Sequence, residues 1–340
     1  MATKTPATKP PQRGDMAAIT VIANPLLKDK KVILFQSGSP TYGLRVSSRE
    51  LVSGAFAETL GPEDPDSVGR PIAYPGQLTS MLYKDFITVY GITGNDVDNL
   101  QVEMLSPVQT PLDLSGHSVI SAAIASCAAD EGQEGWLYVI TTKKGKPVIG
   151  EWELSASAPD MRYLDCPDFS LTTNLCAVSD KVNQTRWLIY QQKDKTVVVY
   201  DAVKKTPYKI GKTSTRIIAS TPLSAAIVPD IIGKGQRLVV YFVGSEDAGG
   251  DPQLYTANCR LNPDGLSFNE TFEQPVALKD PKDGIIDVME WAGLSAYVDN
   301  VLESPDTPAR SRTVIYCLKT MPNKEAKFNV VVHPFSAVQK

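Results

Sequence analysis

Histidine is almost missing from this chain. Its 340 residues hold two, His117 and His333. A Ser-His-Asp triad therefore has few possible bases, and a histidine-built metal centre has too few ligands. Cysteine is also sparse. The five residues are scattered, odd in number and never spaced C-x-x-C. They read as small buried hydrophobes in a reducing compartment. Basic clusters are short. "TKKGKPV" and "VKKTPYK" fall where turns are expected, and a net charge of −4 gives no nucleic-acid footprint. No apolar run approaches the ~18 residues of a membrane span. The opening "MATKTPATKPPQRGDM" has no apolar h-region, so residues 1–15 read as a disordered tail and the protein as cytoplasmic. Phosphate loops, a dinucleotide fingerprint and a hydrolase elbow are absent, and Gly233-Lys234-Gly235 lacks the surrounding P-loop pattern. "GNDVDN" lacks the calcium-loop spacing and reads as a solvated turn. No metal and no cofactor are expected. Amphipathic helices are lacking too. "VSSRELVSGAFAETLGPEDPD" is the best candidate, as one short helix or as an outer strand with a loop.

What the chain does have is a repeat. "TPLSAAIVPD", "GQRLVVYFVG" and "DPQLYTANC" are three apolar runs separated by turns, and similar triplets recur. Six units start near Met16, Leu78, His117, Thr172, Ser220 and Glu290. A spacing of roughly 40 to 70 residues is in the range of propeller blades. The first run of a unit is small and apolar, the second bulky and β-branched with an aromatic, the third alternating. Alternation at period two with these residue types predicts strands, and Gly, Pro, Asp and Asn between runs predict turns. Small residues suit a crowded ring centre, bulky ones the packing between blades, and polar alternation the rim. The expectation is an all-β, six-bladed β-propeller over residues 16–340, each blade having three to four antiparallel strands. A pair of β-sandwiches is the alternative. After the sixth unit's third run the chain ends within a few residues, so that blade could borrow an N-terminal strand.

In a propeller the first strands line the axis, and residues at their starts are the natural ligand contacts. The candidates are Tyr83 and Lys84, His117 and Ser118, Asn174, Thr221, Glu290 and Trp291. They mix aromatics with hydrogen-bonding groups, which suits a small organic ligand. His333 precedes Pro334 in the last strand and reads as structural.

The blade order and unit number resemble the fungal fucose-specific lectins, which hold sugar between blades with a recurring Arg, Glu and Trp or Tyr. "GEWEL" (150–154) and "TRWLIY" (185–190) echo that set, which does not recur blade by blade. The chain also resembles the propeller-type hetero-Diels-Alderases of fungal tropolone-sesquiterpenoid biosynthesis. That resemblance implies a cofactor-independent cycloaddition between a tropolone ortho-quinone methide and a humulene-type sesquiterpene, both small hydrophobic substrates. His117, Lys84 or Tyr83 would donate a hydrogen bond to the heterodiene oxygen. Trp291 would stack on the tropolone, and Glu290 would assist loss of water. The alternative is a carbohydrate-binding lectin without catalysis. A deep asymmetric cavity favours the enzyme; shallow equivalent sites between blades favour the lectin.

Overall fold

The computed structural model describes residues 18–24, 31–37, 44–50, 56–59, 72–73, 76–94, 99–114, 116–129, 132–155, 160–210, 217–230, 235–245, 250–261, 272, 274–280, 284–286, 288, 293–301, 310–320 and 326–335. The N-terminal tail expected over 1–15 lies outside them, as do Glu290 and Trp291.

Six antiparallel sheets follow one another along the chain, each an up-and-down meander. Blade 1 contains β1 (Ile19–Ala23), β2 (Lys31–Ser37), β3 (Leu44–Glu50) and β4 (Phe56–Thr59). Blade 2 contains β5 (Leu78–Tyr83), β6 (Phe86–Thr93), β7 (Gln101–Ser106) and β8 (Thr110–Pro111). Blade 3 contains β9 (Val119–Ala129), β10 (Glu134–Lys143), β11 (Lys146–Glu153) and β12 (Met161–Leu164). Blade 4 contains β13 (Cys176–Asp180), β14 (Thr185–Gln191), β15 (Val197–Asp201) and β16 (Thr206–Lys209). Blade 5 contains β17 (Leu223–Asp230), β18 (Gly235–Gly244), β19 (Gln253–Leu261) and β20 (Val276–Ala277). A short ribbon of β21 (Lys279–Asp280) and β22 (Gly284–Ile285) leads on to blade 6. Blade 6 contains β23 (Leu294–Val301), β24 (Arg310–Thr320) and β25 (Ala326–Phe335).

The first strands pack side by side in the order β1, β5, β9, β13, β17, β23 and back to β1, which closes a six-bladed propeller. β1 pairs with β2 in its own blade, so among the described residues closure comes from packing and not from a strand lent to blade 6. The described residues of the candidate helical segment form the end of β3 and then β4.

Period-two alternation on the second strands gives each blade two greasy faces. On β14, Leu188 and Tyr190 pack towards blade 3, while Trp187 and Ile189 pack towards blade 5. On β18, Val240 and Phe242 meet blade 4, while Val239 and Tyr241 meet blade 6. The core is therefore split into six clusters, one at each interface around the ring. Each fully buried aromatic there contributes about 1.5–3 kcal/mol.

Small residues on the first strands have a further role. The axis-facing edge of each first strand carries N–H groups with no partner strand. Hydroxyls of the neighbouring blade take several of them. Val21 N–H donates to Ser295 Oγ at 3.1 Å, Ala296 N–H to Ser224 Oγ at 2.8 Å and Ser126 N–H to Thr79 Oγ1 at 2.9 Å. Thr20 Oγ1 and Ser80 Oγ join blades 1 and 2 at 2.7 Å.

Candidate functional site

The axis is narrow. All six first strands line a central cavity of about 180 Å³, walled by small side chains such as Ala125, Ala177, Ser224 and Ser295. Gln77 reaches across its mouth. Its Nε2 donates to the Leu175 carbonyl at 3.1 Å, and its Oε1 accepts from Ile124 N–H at 3.2 Å and Leu175 N–H at 2.9 Å. One amide thus ties blades 2, 3 and 4 together.

The described residues among those expected at this mouth do not all converge there. Asn174 does line the cavity, but its Nδ2 is committed to the carbonyls of Ser220 at 2.9 Å and Thr221 at 2.8 Å. Thr221 is fully buried and clamps β18, its Oγ1 donating to Val243 O and accepting from Val243 N–H. Tyr83 and Lys84 stand at the opposite end of β5, at a tight hairpin where Lys84 has φ +48°. The Lys84 ammonium sits 5.2 Å from the Tyr83 ring centroid. His117 and Ser118 lie off the axis, on the segment that leads from blade 2 into β9. His117 Nδ1 is 3.0 Å from the hydroxyl of Tyr163 on β12, and the Ser118 carbonyl accepts from Thr141 Oγ1 at 2.7 Å. Glu290 and Trp291 lie outside the described residues.

A charged cluster lies between blades 3 and 4 instead. Glu151 on β11 is nearly buried and accepts from two arginines. Arg162 Nη2 is 2.6 Å from its Oε1; Arg186 Nη2 is 3.2 Å from Oε1 and Nε 3.4 Å from Oε2. The Arg186 guanidinium lies 4.1 Å over the ring of Trp136 on β10. Burial opposes its charge, yet the Tyr138 and Glu151 side chains more than offset this and raise its pKa. Fork, carboxylate and ring hold one another in a fixed geometry. Trp136 and Arg186 line a cavity of about 560 Å³, together with Glu134, Ser179, Gln184 and Thr185. Asp180 also lines it and caps the β13–β14 turn, accepting from the backbone N–H groups of Val182 and Asn183.

This cluster unites the two echoes, "GEWEL" and "TRWLIY", across a blade interface. Among the described residues no second cluster of this kind occurs around the ring. Arg186 is one residue in from the first β13–β14 register pair. The same position in the other blades is Ile33, Ile87, Gly135, Gln236 or Ser311. At Gly135 an added Cβ would lie 2.9 Å from the Tyr83 ring, so between blades 2 and 3 that aromatic fills the space.

No family model matches the chain. Wall-associated proteinases of Coccidioides immitis and Coccidioides posadasii are each 24% identical over 234 residues, 66% of this chain and 74% of theirs. Among solved structures, AofleA of Arthrobotrys oligospora superposes with a TM-score of 0.60 at 12% identity, covering 96% of this chain and 89% of its own. The Aleuria aurantia lectin, a six-bladed β-propeller described for its fucose recognition, gives 0.54 at 13% identity, covering 94% and 96%. At such identities the likeness is one of fold: this chain is a six-bladed β-propeller built like those of fungal fucose-binding lectins.

Proposed function

We propose that the protein is a carbohydrate-binding propeller with one principal site, between blades 3 and 4. The observation that carries this reading is the fixed Arg186–Glu151–Trp136 cluster, whose Arg186 and Trp136 line the 560 Å³ cavity. A neutral sugar needs planar donors and acceptors for its hydroxyls, and a water-poor wall behind them. Arg186 supplies donors. Glu151 orients it, and Trp136 holds its plane. Glu134, Ser179 and Gln184 add polar groups at the rim. The fold of the lectin neighbours makes fucose-type monosaccharides the first ligands to try.

Two other readings gain less support. The cycloaddition places a tropolone and a sesquiterpene in one pocket at the axis. The 180 Å³ central cavity falls below the ~300–1,000 Å³ usual for ligand sites. Proteolysis, suggested by the name of the curated relatives, needs a nucleophile beside a base. His117 and His333 are each 3.0 Å from a tyrosine hydroxyl, those of Tyr163 and Tyr241. Burial pushes the Cys127 and Cys176 thiols up to about 12, far from thiolate chemistry at neutral pH.

The test is a screen of immobilised neutral and fucosylated glycans with the wild type, Arg186→Leu and Trp136→Leu. Selective retention that both variants lose supports the reading. No retention on any glycan, or equal retention by all three proteins, would sink it.

A further inference from the structure

A second cavity, of about 650 Å³, opens where the chain crosses from the outer strands of blade 2 to the first strand of blade 3. It shares no lining residue with the sugar site. Apolar side chains, Leu100, Val102, Pro111, Leu112, Leu114 and Ile120 among them, share its walls with polar surface of at least equal extent. Gln101, Asp113, His117 and Ser118 supply polar groups. The volume is that of a small-molecule pocket.

The histidine is held from several sides. Its N–H donates to the Leu114 carbonyl at 3.2 Å, and the carbonyl of the next residue, Ser118, is clamped by Thr141. Its ring meets Tyr163 edge to face, with centroids 5.6 Å apart and planes at 79°. The Lys143 ammonium lies 4.6 Å from the Tyr163 ring centroid, which makes the phenol a better hydrogen-bond donor. With Tyr163 donating to Nδ1, the remaining ring proton sits on Nε2. Gly116, at φ +82°, has no heavy atom within 4 Å of where a Cβ would stand, so the approach beside His117 is open. A half-buried imidazole fixed this firmly is a preorganised donor.

We propose that this cavity binds a small, neutral organic molecule that sets a ring against the apolar side chains and a carbonyl or hydroxyl oxygen to accept from His117. Asp113 in the lining disfavours an anion, and the volume is too small for a protein segment.

The probes are 2-naphthol and naphthalene, followed by their fluorescence in titrations of the full chain. The wild type should bind 2-naphthol saturably. His117→Ala should weaken it about tenfold, the order of one lost hydrogen bond, and leave naphthalene binding unchanged. Leu112→Trp, which fills the cavity from a half-buried wall, should abolish both, with an unchanged far-UV circular dichroism spectrum and urea midpoint showing the fold intact. Arg186→Leu should alter neither. The proposal is overturned by absent or non-saturable naphthol binding, by equal binding in the wild type and Leu112→Trp, by indifference to His117→Ala, or by loss in Arg186→Leu.

Discussion

Glu151 offers the sharpest energetic test. Its side chain is 5% exposed and Arg186's is 15% exposed, so both charges are largely out of water. Arg162 is 39% exposed and keeps much of its hydration. Replacing Glu151 with Leu strands the Arg186 guanidinium against Trp136 with its carboxylate gone. Leaving a buried charge unpaired costs about 3–5 kcal/mol. Against a typical total of about 5–15 kcal/mol this is a large fraction. Arg186→Leu alone should cost less, because Glu151 keeps Arg162 at 2.6 Å. The double variant Glu151→Leu/Arg186→Leu removes both ends and should recover most of the loss, since apolar replacement of a buried pair is often neutral or better. Urea unfolding followed by tryptophan fluorescence reads all four proteins, and the cycle isolates the coupling. A Glu151→Leu protein within about 1 kcal/mol of the wild type, or a double variant less stable than Glu151→Leu, would refute a buried, mutually compensated pair.

Burial pulls the His333 imidazole down to about 4, so the native state keeps it neutral while the unfolded chain protonates it near its ordinary value of 6.5. The stability this contributes is complete above about pH 6.5 and is lost as pH falls towards 4, by up to roughly 3 kcal/mol. His333→Gln should flatten that part of the urea-midpoint profile, and an unchanged slope would show that another group carries it. Gln77→Ala removes three hydrogen bonds across blades 2 to 4 and should cost about 2 kcal/mol. A melting temperature equal to wild type would show the bridge to be idle. Cys127, buried and pushed up to about 12, should react with Ellman's reagent at pH 8 only as fast as the protein opens. A prompt stoichiometric reaction of this thiol would contradict its burial.

The blades were legible because each second strand is a run such as Leu-Val-Val-Tyr-Phe, which only a strand packed on both faces can bury. The hydroxyls of Thr79, Ser224 and Ser295 were equally present, but their partners are N–H groups of other blades, which no local pattern reveals. The repeat pattern puts Tyr83 and Lys84 at the start of their strand, whereas they stand at its end, for a local reason. The turn after β5 is Lys84-Asp85, with φ +48° and +68°, where Gly or Asn is the usual signal. His117 opens a sequence unit, which points to the axis, yet the backbone turn to Leu114 keeps it off the axis, beside Tyr163. Glu151 and Arg186 could be seen only as separate motifs. They stand 35 residues apart on different blades, and the closed ring brings them together.

The central claim is one sugar site per chain, held by Arg186. Calorimetric titration with the best-retained glycan tests it most directly. The account predicts saturation at one sugar per chain and no measurable heat with Arg186→Leu. Several equivalent sites per chain, or undiminished binding in that variant, would contradict it.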